Sequence, residues 1–491
     1  PKGSPDLPLI PTSIMIPNQG GFSYNIISSE YVTVENIEIA PSKGTIYRNQ
    51  DPEAVPYEYG REYFIDEFFP KNSAFISDPF IVRDLRGANI SFFPFTYNAI
   101  QKELRVYSEI ILKITFTNDN FPNQIENNKL KASYEFNNVY ERHFINYKSS
   151  TKYTPIEEGT PGKILIISKD AYASAMTPYI NWKLEKGIET EMVLISSIGT
   201  SSNDLKTFIQ DYYDNNDLTY LLLVGDAEDI PPINVGSNYT DNGYTYLAGN
   251  DKYADIFIGR FSGNSIADIE TQVQRTVTYE RDLNASDTWL TNGFTSASNE
   301  GAGQGHNGES DVQHMNIIKD KLQTYGYTIT SVNQQGGNNS QISSHFNAGT
   351  GIANYIGHGD ETLWVNTEFT NSHVNALTNE NKLPFIWSVA CVNGHFKGRT
   401  CFAEAWLRAQ KNNQPTGAIA FLGSTINQSW TEPMTAQDEM IDILIETYSS
   451  NIKRTFGGLS FNGMFKMIEA GGEGQSMADT WTIFGDPSLM V

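Results

Sequence analysis

The spacing of apolar and polar residues changes character near residue 160. Before it, short runs at 31–40, 74–82 and 104–117 mix β-branched and aromatic residues and predict strands. Turn-forming groups punctuate them: Pro41-Ser42-Lys43-Gly44, Asn49-Gln50-Asp51-Pro52 and Arg86-Gly87. No helical period of useful length appears, so this part reads as all-β. A polar stretch at 118–128 precedes a second at 148–162, rich in Ser, Thr, Pro, Gly and Glu, which predicts a linker. Beyond it, short apolar strands at Lys163–Ser168, 191–195, 220–224, Ile352–Ile356, 385–390 and 418–422 are interleaved with helices. The helices are predicted at 175–186, 204–213, 265–282 and Asp311–Tyr325. Nearly continuous apolar strands separated by helices predict an α/β domain, a parallel sheet covered on both faces. The expected organisation is an all-β domain over 1–152 and an α/β domain over 153–491, the latter divisible into α/β subdomains at 153–290 and 291–491.

In such sheets the loops at the carboxyl ends of the strands hold the chemistry. Two of those ends stand out. Gly357-His358-Gly359-Asp360 follows the strand ending at Ile356, and Cys391-Val392-Asn393-Gly394 follows the strand ending near Ala390. On neighbouring strands the two side chains emerge at one rim, where an imidazole can take the proton of a thiol. The amides of Gly359 and Cys391 could then hold an oxyanion. On pattern alone, a small core cysteine and a Gly-rich turn explain the same residues.

Composition narrows the classes. The 491 residues carry 39% hydrophobic and 12% aromatic side chains, which excludes a disordered chain. With 57 acidic against 34 basic residues, the net charge of −23 argues against nucleic acid or an anionic membrane as partner. No apolar run is long enough for a membrane span, and two cysteines make no disulfide framework. Residues 1–152 hold 18 acidic and 15 basic residues, while 153–491 hold 39 and 19, so the acidity lies in the α/β part.

From about residue 153 the chain resembles the catalytic domain of the gingipains, secreted cysteine peptidases with a caspase-like fold. The resemblance is carried by YLLLVGDAEDIPP (220–232), GNDKYADIFIGRF (249–261), NGESDVQH (307–314), NYIGHGDETLW (354–364), SVACVNG (388–394), CFAEAWLRAQ (401–410), TINQSW (425–430) and DTWTIFGDPSL (479–489). Residues 1–152 are similar, more loosely, to the gingipain inhibitory prodomain, in PSKGTIYRNQDPEAVPY (41–57) and DPFIVRDLRG (78–87).

The resemblance implies a zymogen of a cysteine endopeptidase, secreted or at the bacterial cell surface, that cleaves after a basic residue. It assigns Cys391 as nucleophile, His358 as general base and Glu300 as the carboxylate orienting that imidazole. In the match to the Arg-specific gingipains, Asp311 lies on the S1 floor, Trp430 forms a wall and Gln428 makes a polar contact. That match ranks arginine first as substrate residue; lysine ranks second, since the apparent junction reads Lys152-Tyr153 and an enzyme that cut there itself would have to accept lysine. Arg48 is the candidate to occupy S1 in the zymogen. A structural calcium ion is implied at Asp226, Asp251, Asp255 and the Tyr253 carbonyl, and a further ion at Glu309 and His314; hard oxygen ligands suit Ca²⁺. Peptide substrates and the chain's own prodomain are the expected partners. Two rivals are a sortase-like transpeptidase of the same family and a catalytically silent adhesin scaffold.

Overall fold

A computed structural model describes residues 1–126, 134–147, 162–284, 286–303, 305, 307–448 and 455–491. The predicted junction at Lys152 and Tyr153 lies outside the described residues.

The N-terminal part is built from two small sheets. In one, Leu85–Phe92 pairs antiparallel with Ile10–Met15, Ala74–Ile76 and Phe80–Val82. In the other, Gly21–Val34 and Glu103–Thr117 run as a long antiparallel ribbon, with Phe95–Asn98 beside the second strand. Phe22, Tyr24, Leu112 and Ile114 on the ribbon pack against Ile14, Ile76, Ala88 and Ile90 in a modest core. The strand predicted at 31–40 is the end of a longer one that stops at Val34, just before Asn36 turns left-handed at φ 61°.

A helix, Tyr134–His143, adds to this all-β frame and was not expected from the pattern. Its Phe136, Val139 and Tyr140 are buried with residues of the α/β part, as are Phe80, Val82 and Phe144. The N-terminal part therefore shares a hydrophobic core with the part that follows.

That second part is organised by one ten-stranded sheet. Its order is Thr328–Ser331, Asn292–Ala297, Ile352–Ile356, Phe385–Val389, Ala420–Ser424, Trp481–Phe484, Phe257–Phe261, Leu218–Val224, Lys163–Ser168 and Glu189–Leu194. Every neighbouring pair is parallel except Ala420–Ser424 with Trp481–Phe484. The strand at the C-terminus thus joins the sheet's two halves, so 153–290 and 291–491 contribute to one continuous sheet and not to two. One set of helices includes Thr177–Glu185, Ile266–Asp282 and Phe402–Arg408, and another Asp311–Tyr325, Thr431–Leu444 and Phe456–Ala470. Strand interiors such as Leu218–Val224 and Phe385–Val389 are buried along their whole length, as a sheet covered on both faces requires.

Candidate active site

Four adjacent parallel strands deliver the site. Ile352–Ile356 pairs with Phe385–Val389 in the register Ile356↔Val389, so His358 and Cys391 leave the sheet at the same edge. Asn292–Ala297 lies on the other side of Ile352–Ile356, with Ala297↔Ile356, and Glu300 follows it. Ala420–Ser424 flanks the cysteine strand and leads into Gln428 and Trp430. Sequence separations of up to 130 residues collapse to one rim because each loop starts from the carboxyl end of a neighbouring strand.

His358 Nε2 is 2.9 Å from Glu300 Oε1. A carboxylate there fixes the orientation and tautomer of the imidazole. Cys391 is buried, and its Sγ accepts from the Gln428 amide at 3.4 Å. Burial pushes the thiol pKa up, while the Gln428 and Gly359 amides and the Arg48 cation pull it down. Gly359 has no room for a side chain, since a Cβ there would lie 2.3 Å from the Cys391 carbonyl oxygen. Val392, directly after Cys391, is held at φ 45°, a conformation unusual for a β-branched residue. His358 also meets Trp430 edge to face, with ring centroids 5.6 Å apart.

Arg48 of the N-terminal part fills the pocket beside this set and is fully buried. Tyr47 pairs antiparallel with Ser429, and the Arg48 amide donates to the Gln428 carbonyl at 2.9 Å. The guanidinium donates from Nε to Ser429 O at 3.2 Å and from Nη2 to Trp430 O at 3.3 Å. Its Cζ lies 4.2 Å from the centroid of the Trp430 ring. Asp311 Oδ2 stands 3.7 Å from Nη1 and accepts from Ser298 Oγ at 2.5 Å. Burial pushes the Asp311 carboxyl up, against the pull of Arg48 and Ser298. The cap of the helix Asp311–Tyr325 is Ser310, in a capping box with Gln313, which leaves Asp311 in the first turn to face the pocket. The Gln428 side chain does not meet Arg48. Its Nε2 goes to Ser424 and its Oε1 accepts from Trp481 Nε1, so the main chain makes the contact.

The expected calcium ligands do not converge. Asp226 accepts from Arg408 Nη2 at 3.0 Å and from the Ala227 amide. Asp251 accepts from the amides of Ile81 and Tyr253, and Asp255 from those of Arg83, Leu247 and Ala248. Their oxygens are turned to N–H donors, two of them supplied by the N-terminal part, and they form no ligand cluster among the described residues. This arrangement does not fit a shared ion. Glu309 and His314 do come together, with Asp438 as a third member that the sequence did not point to. His314 Nδ1 is 3.4 Å from Glu309 Oε1 and 3.8 Å from Asp438 Oδ2. One imidazole and two carboxylates with ligand atoms within 4.8 Å of one another suit a divalent cation.

Comparison with known proteins agrees with the geometry. The family model described as "Peptidase family C25" matches residues 157–491, and "Propeptide_C25" matches residues 1–154. Gingipain R2 of Porphyromonas gingivalis is 44% identical over 497 aligned residues, covering 100% of this chain and 67% of its own. Gingipain R1 of the same bacterium is also 44% identical, and this chain spans half of its length. Lys-gingipain is 24% identical over 88% of the chain. Among solved structures, the Arg-specific cysteine proteinase gingipain R has 45% identity and a TM-score of 0.67, covering 69% of this chain and 80% of its own. A complex of pro- and mature domains of RgpB from P. gingivalis has 46% identity and a TM-score of 0.66, over 67% and 80%. The chain therefore belongs to peptidase family C25, and its N-terminal part is that family's propeptide, docked on the cysteine peptidase that follows it.

Proposed function

We propose that the chain is the latent form of an endopeptidase that cleaves after arginine, exported from the cell, and that Arg48 holds it latent. The seat of Arg48 carries the reading: a fully buried guanidinium against Trp430, the Ser429 and Trp430 carbonyls and Asp311. A planar fork of donors matches a row of carbonyls and a ring face, whereas a lysine ammonium is a point charge on a flexible stem. The chain turns back directly after Arg48, the Gln50 amide donating to the Tyr47 carbonyl at 2.9 Å. The segment thus enters like a substrate and leaves in a tight turn, which keeps the Arg48–Asn49 bond from extending past Cys391.

In an open site, Cys391 Sγ attacks the scissile carbonyl carbon as its proton passes to His358. With Nε2 held by Glu300, Nδ1 is the nitrogen for that exchange. The oxyanion lies toward the Gly359 and Cys391 amides. His358 then gives the proton to the leaving amine, the C–N bond breaks, and water hydrolyses the thioester to regenerate the thiol. Replacing Arg48 with Ala in the full chain is expected to give measurable cleavage of an arginyl peptide without processing. Latency unchanged in that variant contradicts the assignment.

The second part of the reading is a structural cation at Glu309, His314 and Asp438. His314 lies one turn beyond Asp311, so such an ion would brace the pocket floor. Chelation is then expected to lower the melting temperature, an effect abolished in His314→Gln; identical melting with and without chelator contradicts it.

A further inference from the structure

The amide of Gly359 belongs to the same planar peptide unit as the carbonyl of His358. In a trans peptide the N–H and C=O point in opposite directions, so fixing one aims the other. The His358 carbonyl is gripped twice, by the Tyr355 hydroxyl at 2.6 Å and by the Val365 amide at 3.2 Å. Gly359 stands opposite Trp364 in the hairpin Gly359–Asp360/Leu363–Trp364. Because the ladder bond there runs from Val365 to His358, the Gly359 N–H turns out of the ladder, toward Cys391.

Tyr355 is itself immobilised. It is fully buried, stacks on Trp364 with centroids 4.6 Å apart and planes 4° from parallel, and its oxygen accepts from the Asn366 amide at 3.2 Å. A second clamp holds the far side of the same hairpin. Asn393, two residues after the nucleophile and fully buried, donates from Nδ2 to the carbonyls of Asp360 at 2.6 Å and Leu363 at 3.0 Å. Its Oδ1 accepts from Ser388 Oγ at 2.8 Å, and Ser388 Oγ accepts from Trp364 Nε1 at 2.9 Å. Gly359 therefore sits between a tyrosine fixing the peptide before it and an asparagine fixing the carbonyl of the next residue, Asp360. Both clamps grow from the strands that carry the catalytic pair.

We infer that Tyr355 and Asn393 are positioning residues that aim the Gly359 amide at the oxyanion formed during acylation. The inference rests on the reading of Gly359 as an oxyanion donor. Neither side chain need touch the substrate. A misaimed donor weakens transition-state binding while leaving ground-state binding in place.

The test uses the processed enzyme and Tyr355→Phe, which keeps the ring and its stack on Trp364 and removes only the hydroxyl. The expected result is a fall in kcat of about tenfold or more with KM within about twofold. Affinity for an arginyl peptide aldehyde, whose hemithioacetal places an oxygen at the same spot, is expected to fall by the same factor. The limiting rate of Cys391 alkylation by iodoacetamide, read at a pH high enough to ionise the thiol fully so that the lost Gly359 contact to sulfur does not enter, is expected to stay within about twofold, since it needs no oxyanion donor. Asn393→Ala is expected to follow the same pattern, with melting temperature as the check on folding. Unchanged kcat and aldehyde affinity in a folded Tyr355→Phe enzyme overturn the inference. Alkylation falling in step with kcat overturns it too, because the tyrosine would then be acting through the thiol or His358. Failure of the underlying reading shows separately, as wild-type activity that survives Cys391→Ala or as no aldehyde binding to the wild type.

Discussion

A guanidinium spreads its charge over a plane edged with N–H donors, and the pocket around Arg48 answers with groups of matching geometry. Trp430 contributes twice, by its ring face and by its carbonyl. Asp311 supplies the charge from a fully buried position, where an unpaired carboxylate is costly and a bound cation correspondingly favoured. Asp311→Asn is therefore expected to lower kcat/KM for an arginyl peptide by about 100-fold, the ~3 kcal/mol of a buried pair losing one partner. Alkylation of Cys391 in that variant serves as the control and is expected to be unchanged. Cys391, His358, Asp311 and Trp430 were legible because each stands in a segment that carries the gingipain resemblance, and Glu300 by its place in the same match. Gln428 was legible only as a position. Its carbonyl and amide make the contacts, and main-chain groups leave no mark on residue identity. Asp438 was invisible because its partners lie over 120 positions away, with nothing between them to set a spacing.

At the scale of elements, strands with continuous apolar runs were legible, and Lys163–Ser168 and Ile352–Ile356 fall where the pattern put them. Others escaped for physical reasons. Phe456–Ala470 contains Gly457, Gly458 and Gly463, poor helix formers that tertiary packing overrides; a Cβ on Gly463 would lie 2.4 Å from Met440 Cε. Trp481–Phe484 is too short for any period to declare itself. Tyr134–His143 reads weakly because its apolar face is completed by another part of the chain.

The strand Phe80–Val82 anchors the N-terminal part on the peptidase. Phe80 stacks on Tyr253 of the peptidase with centroids 4.0 Å apart, and the Ile81 and Arg83 amides reach Asp251 and Asp255. This anchor involves residues quite separate from those around Arg48. Phe80→Ala is expected to cost about 3 kcal/mol of docking, a loosening of ~100-fold. After processing, the variant propeptide should leave the peptidase at lower dilution than the wild type, as followed by the return of peptide cleavage. Equal release from both chains would remove Phe80 from the anchor.

The N-terminal part engages the peptidase at two places with different chemistry. Arg48 fills the pocket beside Cys391 with a polar, substrate-like entry, which the proposed function takes as the block, and the strand and helix around Phe80 and Phe136 dock through a core shared with the peptidase. The acidity concentrated after residue 152 suits a peptidase that draws in cationic side chains, while the nearly balanced N-terminal part can lie against it with little repulsion. The most direct test of this account compares two fluorogenic peptides that differ only at the cleaved residue, arginine against lysine, on the processed enzyme and its Cys391→Ala variant. The account predicts a kcat/KM for arginine higher by about 100-fold or more, consistent with the loss for lysine of the two carbonyl contacts and the stack on Trp430, and no cleavage of either peptide by the variant. Equal or better cleavage after lysine, or activity that persists without Cys391, would contradict it.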